Sequence, residues 1–171
     1  MHINVEFKAR CNQLDRVRFI LESLGAYYKG RDHQVDVYFN VQNGRLKLRK
    51  GTIENNLIGY EREDTCSSKQ SNVRLIKTEP NSSLEEILTC ALGVKIVVDK
   101  QRDIYFIGNV KFHLDQVQGL GTFVEVEAID KDGDIGRERL QAQCNHYQEL
   151  LEVADSDLIA ISYSDMFLKK I

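Results

Sequence analysis

Segments in which apolar and polar side chains alternate recur along the chain, and this period of two limits the possible folds more than any other feature. Side chains of a β-strand point to opposite faces in turn, so each such segment has one face to bury and one polar face. Residues 3–10 alternate in this way, and Asn43-Gly44 and Gly108-Asn109 supply two-residue hairpin turns. The polar stretch 64–72 is predicted to be a loop. We interpret eight segments as mostly antiparallel strands: residues 3–10, 35–40, 45–49, 57–63, 73–78, 95–107, 110–117 and 123–129.

In three other segments the apolar residues recur at helical spacing instead of alternating. The first helix is predicted to begin at Asn12 and end at Gly25, and the second to begin with a capping box at residues 82–85 and end at Gly93. A third helix is predicted over roughly residues 136–153, followed by a short element around residues 158–168. Because the apolar faces of the strands are the available partners for these helices, the fold class is α+β. The predicted buried side chains are Leu14, Val17, Leu21 and Leu24 in the first helix and Leu84, Ile87, Leu88 and Ala91 in the second.

Composition excludes several classes of protein. The net charge is −3 and no run of Lys and Arg occurs, which disfavours binding to bulk nucleic acid. No stretch approaches the roughly 18 apolar residues of a membrane span, and the first residues do not form a secretory signal, so we expect a cytoplasmic protein. The cysteines are far apart in sequence and are predicted to be free thiols. Without a Pro/Gly/Ser-rich linker, we expect a single domain over residues 1–171.

Charge is divided unevenly along the chain. Residues 45–111 carry 12 bases and 9 acids, whereas residues 112–171 carry 5 bases and 12 acids. Bases recur on the polar faces of consecutive predicted strands, where like charges opposite each other destabilise a sheet. Carboxylates occur on the first and the last two strands, which closure of the sheet would bring together. A solvated face of mixed charge is one explanation; the stacked bases favour the other, a polyphosphate held with a divalent cation.

Six motifs in a fixed order resemble those of a known family. They are Asn4-Val5-Glu6-Phe7-Lys8, Leu46-Lys47-Leu48-Arg49, Val98-Asp99-Lys100-Gln101-Arg102, Lys111-Phe112-His113-Leu114-Asp115, Gly119-Leu120-Gly121-Thr122-Phe123-Val124-Glu125-Val126-Glu127 and Ser162-Tyr163-Ser164-Asp165. The set resembles the CYTH family, the triphosphate tunnel metalloenzymes that include class IV adenylyl cyclases and thiamine triphosphatases. The resemblance covers nearly the whole chain. It implies an eight-stranded antiparallel β-barrel whose interior binds a triphosphate, with amphipathic helices packed outside.

The resemblance also implies roles for individual residues. The expected ligands of Mg²⁺ or Mn²⁺ are Glu6, Asp115, Glu125 and Glu127. The bases expected to bind phosphate oxygens are Lys8, Lys47, Arg49, Arg62, Arg74, Lys100, Arg102 and Lys111. Glu6 and Lys8 are the expected catalytic residues, and His113 is expected to form a hydrogen bond in the tunnel wall. The chain departs from the family's E-x-E-x-K motif because Asn4 replaces the first glutamate, and an amide cannot act as a carboxylate base.

These expectations lead to one main function and two alternatives. The main function is a metal-dependent phosphohydrolase that cleaves the terminal phosphate of tripolyphosphate or of a nucleoside or organic triphosphate. Its partner is a small molecule, not a nucleic acid or a membrane. The first alternative is a class IV-type adenylyl cyclase, in which the ribose 3′-hydroxyl attacks the α-phosphorus; it needs the same tunnel, so the predicted residues do not separate the two. The second is a non-catalytic receptor for polyphosphate or nucleotides, in which the replacement at Asn4 has removed most turnover.

Overall fold

Eight antiparallel strands close into one barrel in the computed structural model, which describes residues 2–62 and 69–170, without the side chains of residues 2, 62 and 69. The order around the barrel is β1-β5-β4-β3-β2-β6-β7-β8, and β8 pairs with β1 to complete the circle. The predicted α+β barrel is therefore confirmed. The strands are β1 (His2–Arg10), β2 (Tyr27–Phe39), β3 (Arg45–Gly51), β4 (Asn56–Arg62), β5 (Lys69–Lys77), β6 (Val94–Ile107), β7 (Val110–Val117) and β8 (Gly121–Asp130).

Helices cover the outside of this barrel. They are α1 (Leu14–Ser23), α2 (Leu84–Leu92), α3 (Arg137–Leu150) and α4 (Tyr163–Leu168), with a short 3₁₀ turn at Asp155–Asp157 before α4. None of the helices in the described part of the chain has both the length and the apolar character that crossing a membrane requires.

Two apolar clusters lie between the barrel wall and the helices, because alternation sends many apolar side chains of the strands outward. On β1, Val5, Phe7 and Ala9 are buried in one cluster with Leu21 of α1 and Leu140 of α3. A second cluster packs α4 against the ends of β6, β7 and β8. A third places α2 on the outward side chains of β2 and β3. The polar side chains that alternate with the first and third clusters face the barrel interior, whereas the second cluster includes Tyr38 and Tyr163, which line that interior.

Several predicted boundaries and contacts are wrong. Strand β2 begins at Tyr27, well before residue 35, because its long first half pairs with β6. Residues 69–72 of the predicted loop belong to β5, and residues 63–68 lie outside the described part. The cap of α1 is Gln13, and the cap of α2, Ser83, accepts no side-chain hydrogen bond, so the predicted capping box is not formed. The contacts of α2 use Leu84, Leu88 and Leu92, whereas Ile87 and Ala91 are exposed; Leu24, which ends α1, is exposed as well.

Candidate active site

The barrel encloses a tunnel-like cavity of about 610 Å³ lined mainly by charged and polar side chains. At its first end lie residues 53–55 of the β3–β4 turn, residues 78–79 after β5 and residue 131 after β8. At its second end lie Ser162 and Tyr163, where α4 begins. A cavity of this volume lies within the range of small-molecule binding sites.

Carboxylates meet in one wall of the tunnel where β1, β7 and β8 are neighbours. The register pairs Glu6 with Glu127 and Lys8 with Glu125 across β1 and β8, and it pairs His113 with Glu125 across β7 and β8. Ligand atoms of His113, Glu125 and Glu127 lie within 4.8 Å of one another, and they form the group in the described chain with the spacing for a metal ion. Glu6 lines the same cavity beside this group.

Like charges are crowded in this carboxylate wall, which is formed by Glu6, Glu125 and Glu127, and the crowding shifts the pKa of Glu127. Burial and the negative charge of Glu125 raise the pKa of Glu127 to about 7, and Glu6 adds to the repulsion. The pKa of Glu125 is instead held well below its usual range, against the effect of burial, by Lys8, His113 and Arg102. Glu127 is therefore the carboxylate whose negative charge is least compensated, and a bound cation would relieve that repulsion.

His113 is neutral in this wall. Its ring is buried, and burial together with the positive charge of Arg102 lowers its pKa to about 3. Since Glu125 is ionised and can only accept, the 3.1 Å contact between His113 Nδ1 and Glu125 Oε2 is donated by the ring N–H. This hydrogen bond gives His113 the position in the tunnel wall that the sequence predicts. His113 Nε2 is left buried without a hydrogen-bond partner.

Asn4 stands beside the carboxylate wall at the position of the absent first glutamate. It pairs in register with Ser71 of β5, and both residues line the cavity. Asn4 Oδ1 and Ser71 Oγ are buried and have no hydrogen-bond partner in the structure. Buried polar atoms are normally paired, so these two oxygens mark a point at which the tunnel can accept a polar ligand, a water or a cation.

Three of the predicted phosphate-binding bases converge on one buried carboxylate behind the tunnel wall. Asp36 of β2 accepts two hydrogen bonds from Arg49, at 2.9 and 3.0 Å, and it contacts the Nζ atoms of Lys47 at 3.0 Å and Lys100 at 2.7 Å. Despite burial, these bases hold the pKa of Asp36 well below its usual range. Burial lowers the pKa of Lys100 to about 7, although Asp36 opposes this fall. The pairing fixes these three bases in the tunnel wall.

Asp115 holds Arg102 in the same way, and this overturns its predicted position among the metal ligands. Its carboxylate accepts from Arg102 Nε at 2.6 Å and Nη2 at 2.5 Å, and from the Tyr163 hydroxyl at 2.7 Å. The side chain is fully buried, does not line the cavity and is not part of the group formed by His113, Glu125 and Glu127. Both carboxylate oxygens are occupied, so Asp115 orients a base and does not face a metal.

The remaining predicted residues divide between the tunnel and its outer surface. Lys8 and Lys111 line the tunnel, and Lys8 Nζ lies 3.0 Å from Glu125 and 4.1 Å from the ring centre of Tyr163. The prediction that Arg74 faces the interior is wrong: its side chain is 64% exposed, 3.8 Å from Glu61. Its neighbours in β5, at positions 73 and 75, line the tunnel instead, so alternation turns Arg74 outward. The side chain of Arg62 lies outside the described part.

Comparison with known proteins identifies this architecture. The family model of the CYTH domain matches residues 2–158. The chain belongs to the CYTH domain family. This confirms the resemblance in the sequence motifs, and members of the CYTH family include triphosphatases and adenylyl cyclases.

Similar CYTH-type chains match over nearly their full length. A Methanocaldococcus jannaschii protein named "Putative adenylate cyclase" is 25% identical over 174 residues, which cover 96% of this chain and 98% of that one. A solved structure from Pyrococcus horikoshii superposes with a TM-score of 0.80 at 25% identity, covering 96% and 98% of the two chains. A Hippeastrum protein described as a "putative adenylyl cyclase" with a dominant triphosphatase activity has a TM-score of 0.63 at 13% identity, covering 99% and 96%; this shows a shared fold.

Sequence reasoning missed several residues of the CYTH site. Asp36 alternates with Val35 and Val37, so the sequence predicts that it lies on the polar face of β2. Its three basic partners, however, depend on the pairing of β2 with β3 and β6. Glu54 lies in a turn, where no periodic pattern shows the direction of its side chain. Tyr163 packs against Phe123, and it also lines the tunnel beside Lys8.

Proposed function

We propose that this CYTH protein is a divalent-metal-dependent phosphohydrolase that cleaves the terminal phosphate of tripolyphosphate or of a nucleoside or organic triphosphate. The observation that carries the proposal is the juxtaposition, in one closed tunnel, of the carboxylates Glu125 and Glu127 with bases from β1, β3, β6 and β7. Phosphoryl transfer depends mainly on positioning and on stabilising negative charge, which such a wall can supply.

The chemistry of the donor set supports a hard divalent cation such as Mg²⁺ or Mn²⁺. Carboxylate oxygens are the ligands that these ions prefer, and Mg²⁺ usually keeps several waters beside one or two carboxylates. Glu127, whose charge is least compensated, and Glu125 would hold the ion, with Glu6 beside them and the unpaired Asn4 Oδ1 as a neutral oxygen nearby. When bound, the cation would lower the pKa of a coordinated water and neutralise phosphate charge.

The residues of the chain would perform the other parts of the reaction. Lys8, Lys100 and Arg102 would bind the phosphate oxygens and hold the triphosphate along the tunnel. The oxygen of a water molecule forms a bond to the terminal phosphorus while the bond from this phosphorus to the bridging oxygen breaks. Glu6 accepts the proton of the water, and the bridging oxygen leaves as an anion beside the bases. Hydrolysis needs only an ordered water, whereas a cyclase must order the nucleoside so that its ribose hydroxyl attacks instead.

Phosphate release tests this proposal. Purified protein would be incubated with tripolyphosphate, ATP or thiamine triphosphate, with Mg²⁺, Mn²⁺ or EDTA, and released phosphate and nucleotide products would be quantified. Phosphate that forms only with metal is the expected result. Glu127→Gln should lower the rate by about 100-fold or more, since even an outer partner of a metal ligand contributes 10–100-fold.

Glu61→Gln is the matched control, because Glu61 is a carboxylate on the outer surface with 62% of its side chain exposed. Its rate should equal that of the wild type. Cyclic AMP and pyrophosphate from ATP would establish the cyclase instead. Binding of tripolyphosphate without any metal-dependent product would establish the receptor.

A further inference from the structure

The β3–β4 turn is built to hold one side chain in the tunnel. Asp32, fully buried in β2, accepts hydrogen bonds from the Thr52 hydroxyl at 2.9 Å and from the backbone N–H groups of Ile53 at 2.8 Å and Glu54 at 3.0 Å. Asn55 and the backbone of residue 51 exchange two more hydrogen bonds. Residues 52–55 of this short turn are thus all held by hydrogen bonds. Because the backbone of Glu54 is held in this way, the direction in which its side chain leaves the turn is fixed.

Glycine is required where this turn begins. A Cβ atom at Gly51 would lie 2.6 Å from the carbonyl oxygen of Glu54 and 2.7 Å from an Asp32 carboxylate oxygen. Both distances are shorter than a carbon–oxygen contact allows, so the turn could not close onto Asp32 with a larger residue. The close approach of Asp32 and the placement of Glu54 therefore depend on the same packing.

The Glu54 carboxylate lies among bases at the first end of the tunnel. It lies 2.8 Å from Lys111 Nζ, 3.2 Å from Lys29 Nζ and 3.3 Å from Arg49 Nη1. Its side chain is only 10% exposed, and it lines the cavity. Lys111 and Arg49 are two of the bases expected to bind phosphate, so a carboxylate of the protein itself already takes the place of an anionic oxygen there.

Glu54 differs from Asp36 and Asp115, the carboxylates that hold other bases of the tunnel. Asp36 and Asp115 lie behind their basic partners and do not line the cavity. Glu54 faces the cavity, where an incoming phosphate oxygen would meet it directly. The other acidic lining residue at this end, Glu79, is exposed, so solvent screens its charge far more than that of Glu54.

The same end offers apolar contacts. Ile53, Phe106 and Ile129 line the cavity there, next to the ion pairs of Glu54. An uncharged group entering this end would find apolar surface, whereas a further phosphate would meet a buried carboxylate whose basic partners are already occupied. Lys77 and Lys131 also line this end, but they are exposed, so solvent screens their charges. Like charges placed together in a binding site are a strong basis for rejecting a ligand.

We propose that Glu54 is a specificity-determining residue that stands in for an anionic group at the first end of the tunnel, so that the tunnel accepts a triphosphate and rejects a chain extended by a further phosphate. The inference rests on the proposed binding of triphosphates. It adds a limit on the length of the phosphate chain and assigns the first end to the uncharged part of an organic triphosphate.

Calorimetric titration with tripolyphosphate and tetrapolyphosphate, in EDTA so that metal-dependent turnover is absent, tests the inference. Wild-type protein should bind tripolyphosphate about tenfold or more tightly than tetrapolyphosphate. Glu54→Gln keeps the backbone contacts with Asp32, and it should improve tetrapolyphosphate binding by about tenfold or more while tripolyphosphate changes by less than about threefold. Glu61→Gln, which removes an outer carboxylate, should behave as the wild type.

Three results would overturn the inference. If Glu54 only holds Lys111 and Arg49 in place, Glu54→Gln weakens the binding of both ligands, which is a change of opposite sign. If Glu54→Gln improves the affinity for both ligands equally, Glu54 does not discriminate between phosphate chains of different length. If neither ligand binds the wild-type protein, in EDTA or in a parallel titration with Mg²⁺, the proposed function itself fails; if tripolyphosphate binds and the preference is unchanged in Glu54→Gln, only the inference about Glu54 fails.

Discussion

Substitution of Asp36 by asparagine should strongly destabilise the protein. The Asp36 carboxylate is buried and contacts Arg49, Lys47 and Lys100 at 2.7–3.0 Å. The asparagine side chain would have nearly the same volume but no charge, so three buried bases would remain in the barrel wall without their common counter-ion. Removing one partner of a buried ion pair costs about 3–5 kcal/mol. With a urea dependence of about 2 kcal/mol per molar, the midpoint of unfolding should fall by about 2 M.

The pH dependence of this loss is a second readout. The pKa of Lys100 is about 7 in the folded wild-type protein, and it should fall further without Asp36. The unfolded chain keeps this proton up to its ordinary value near 10.5, so above pH 7 the unfolded state binds more protons and stability rises with pH. The difference between Asp36→Asn and the wild type should therefore be smaller at pH 9 than at pH 6.

Asp99→Asn is the matched control for urea denaturation. Asp99 pairs with His33 on the outer surface, and its side chain is 41% exposed, so the free energy of unfolding should change by less than about 0.5 kcal/mol. A loss of less than about 1 kcal/mol for Asp36→Asn at pH 6 would refute the reasoning that Asp36 compensates the buried bases.

Three further predictions concern the carboxylate wall, the β3–β4 turn and the cap of α4. Because the pKa of Glu127 is raised to about 7, protonation competes with metal binding, and calorimetric Mg²⁺ affinity should increase from pH 6 to pH 8; a flat profile would contradict this. Gly51→Ala should lower the free energy of unfolding by about 1–3 kcal/mol in urea denaturation, since its Cβ overlaps Asp32 and Glu54; unchanged stability would show that the turn relaxes freely. Ser162→Ala removes the side-chain cap of α4 and should reduce the unfolding free energy by about 1 kcal/mol, whereas a loss within error would mean that the cap is replaced by solvent.

Alternation predicted the faces of the strands wherever apolar side chains form the outer core. On β1, Val5 and Phe7 pack under the helices while Glu6 and Lys8 line the tunnel, as the period of two requires. The same rule failed at Arg74. The tunnel wall formed by β4 and β5 carries apolar residues, Ile58, Val73 and Leu75 among them, so polarity does not distinguish inside from outside there.

Partnerships between charged residues were less predictable than their faces. The charge and face of Asp115 can be read from the sequence, but its use by Arg102 depends on the pairing of β6 with β7. Glu54 lies in a turn, so no alternation of apolar and polar residues predicts the direction of its side chain. Its position follows from a hydrogen bond between its backbone N–H and the buried Asp32, which is 22 residues away in sequence. Closure of the barrel sets these contacts, and such long-range register is not contained in local patterns.

Phosphorus NMR of tripolyphosphate incubated with the protein and Mg²⁺ tests metal-dependent hydrolysis in the tunnel. The tripolyphosphate signals should be replaced by equal amounts of pyrophosphate and phosphate. EDTA should prevent this, and Glu127→Gln should abolish most of it, whereas Glu61→Gln should not. Hydrolysis in the tunnel is refuted if tripolyphosphate binds the wild-type protein but stays intact with Mg²⁺, or if cleavage proceeds equally in EDTA and in Glu127→Gln.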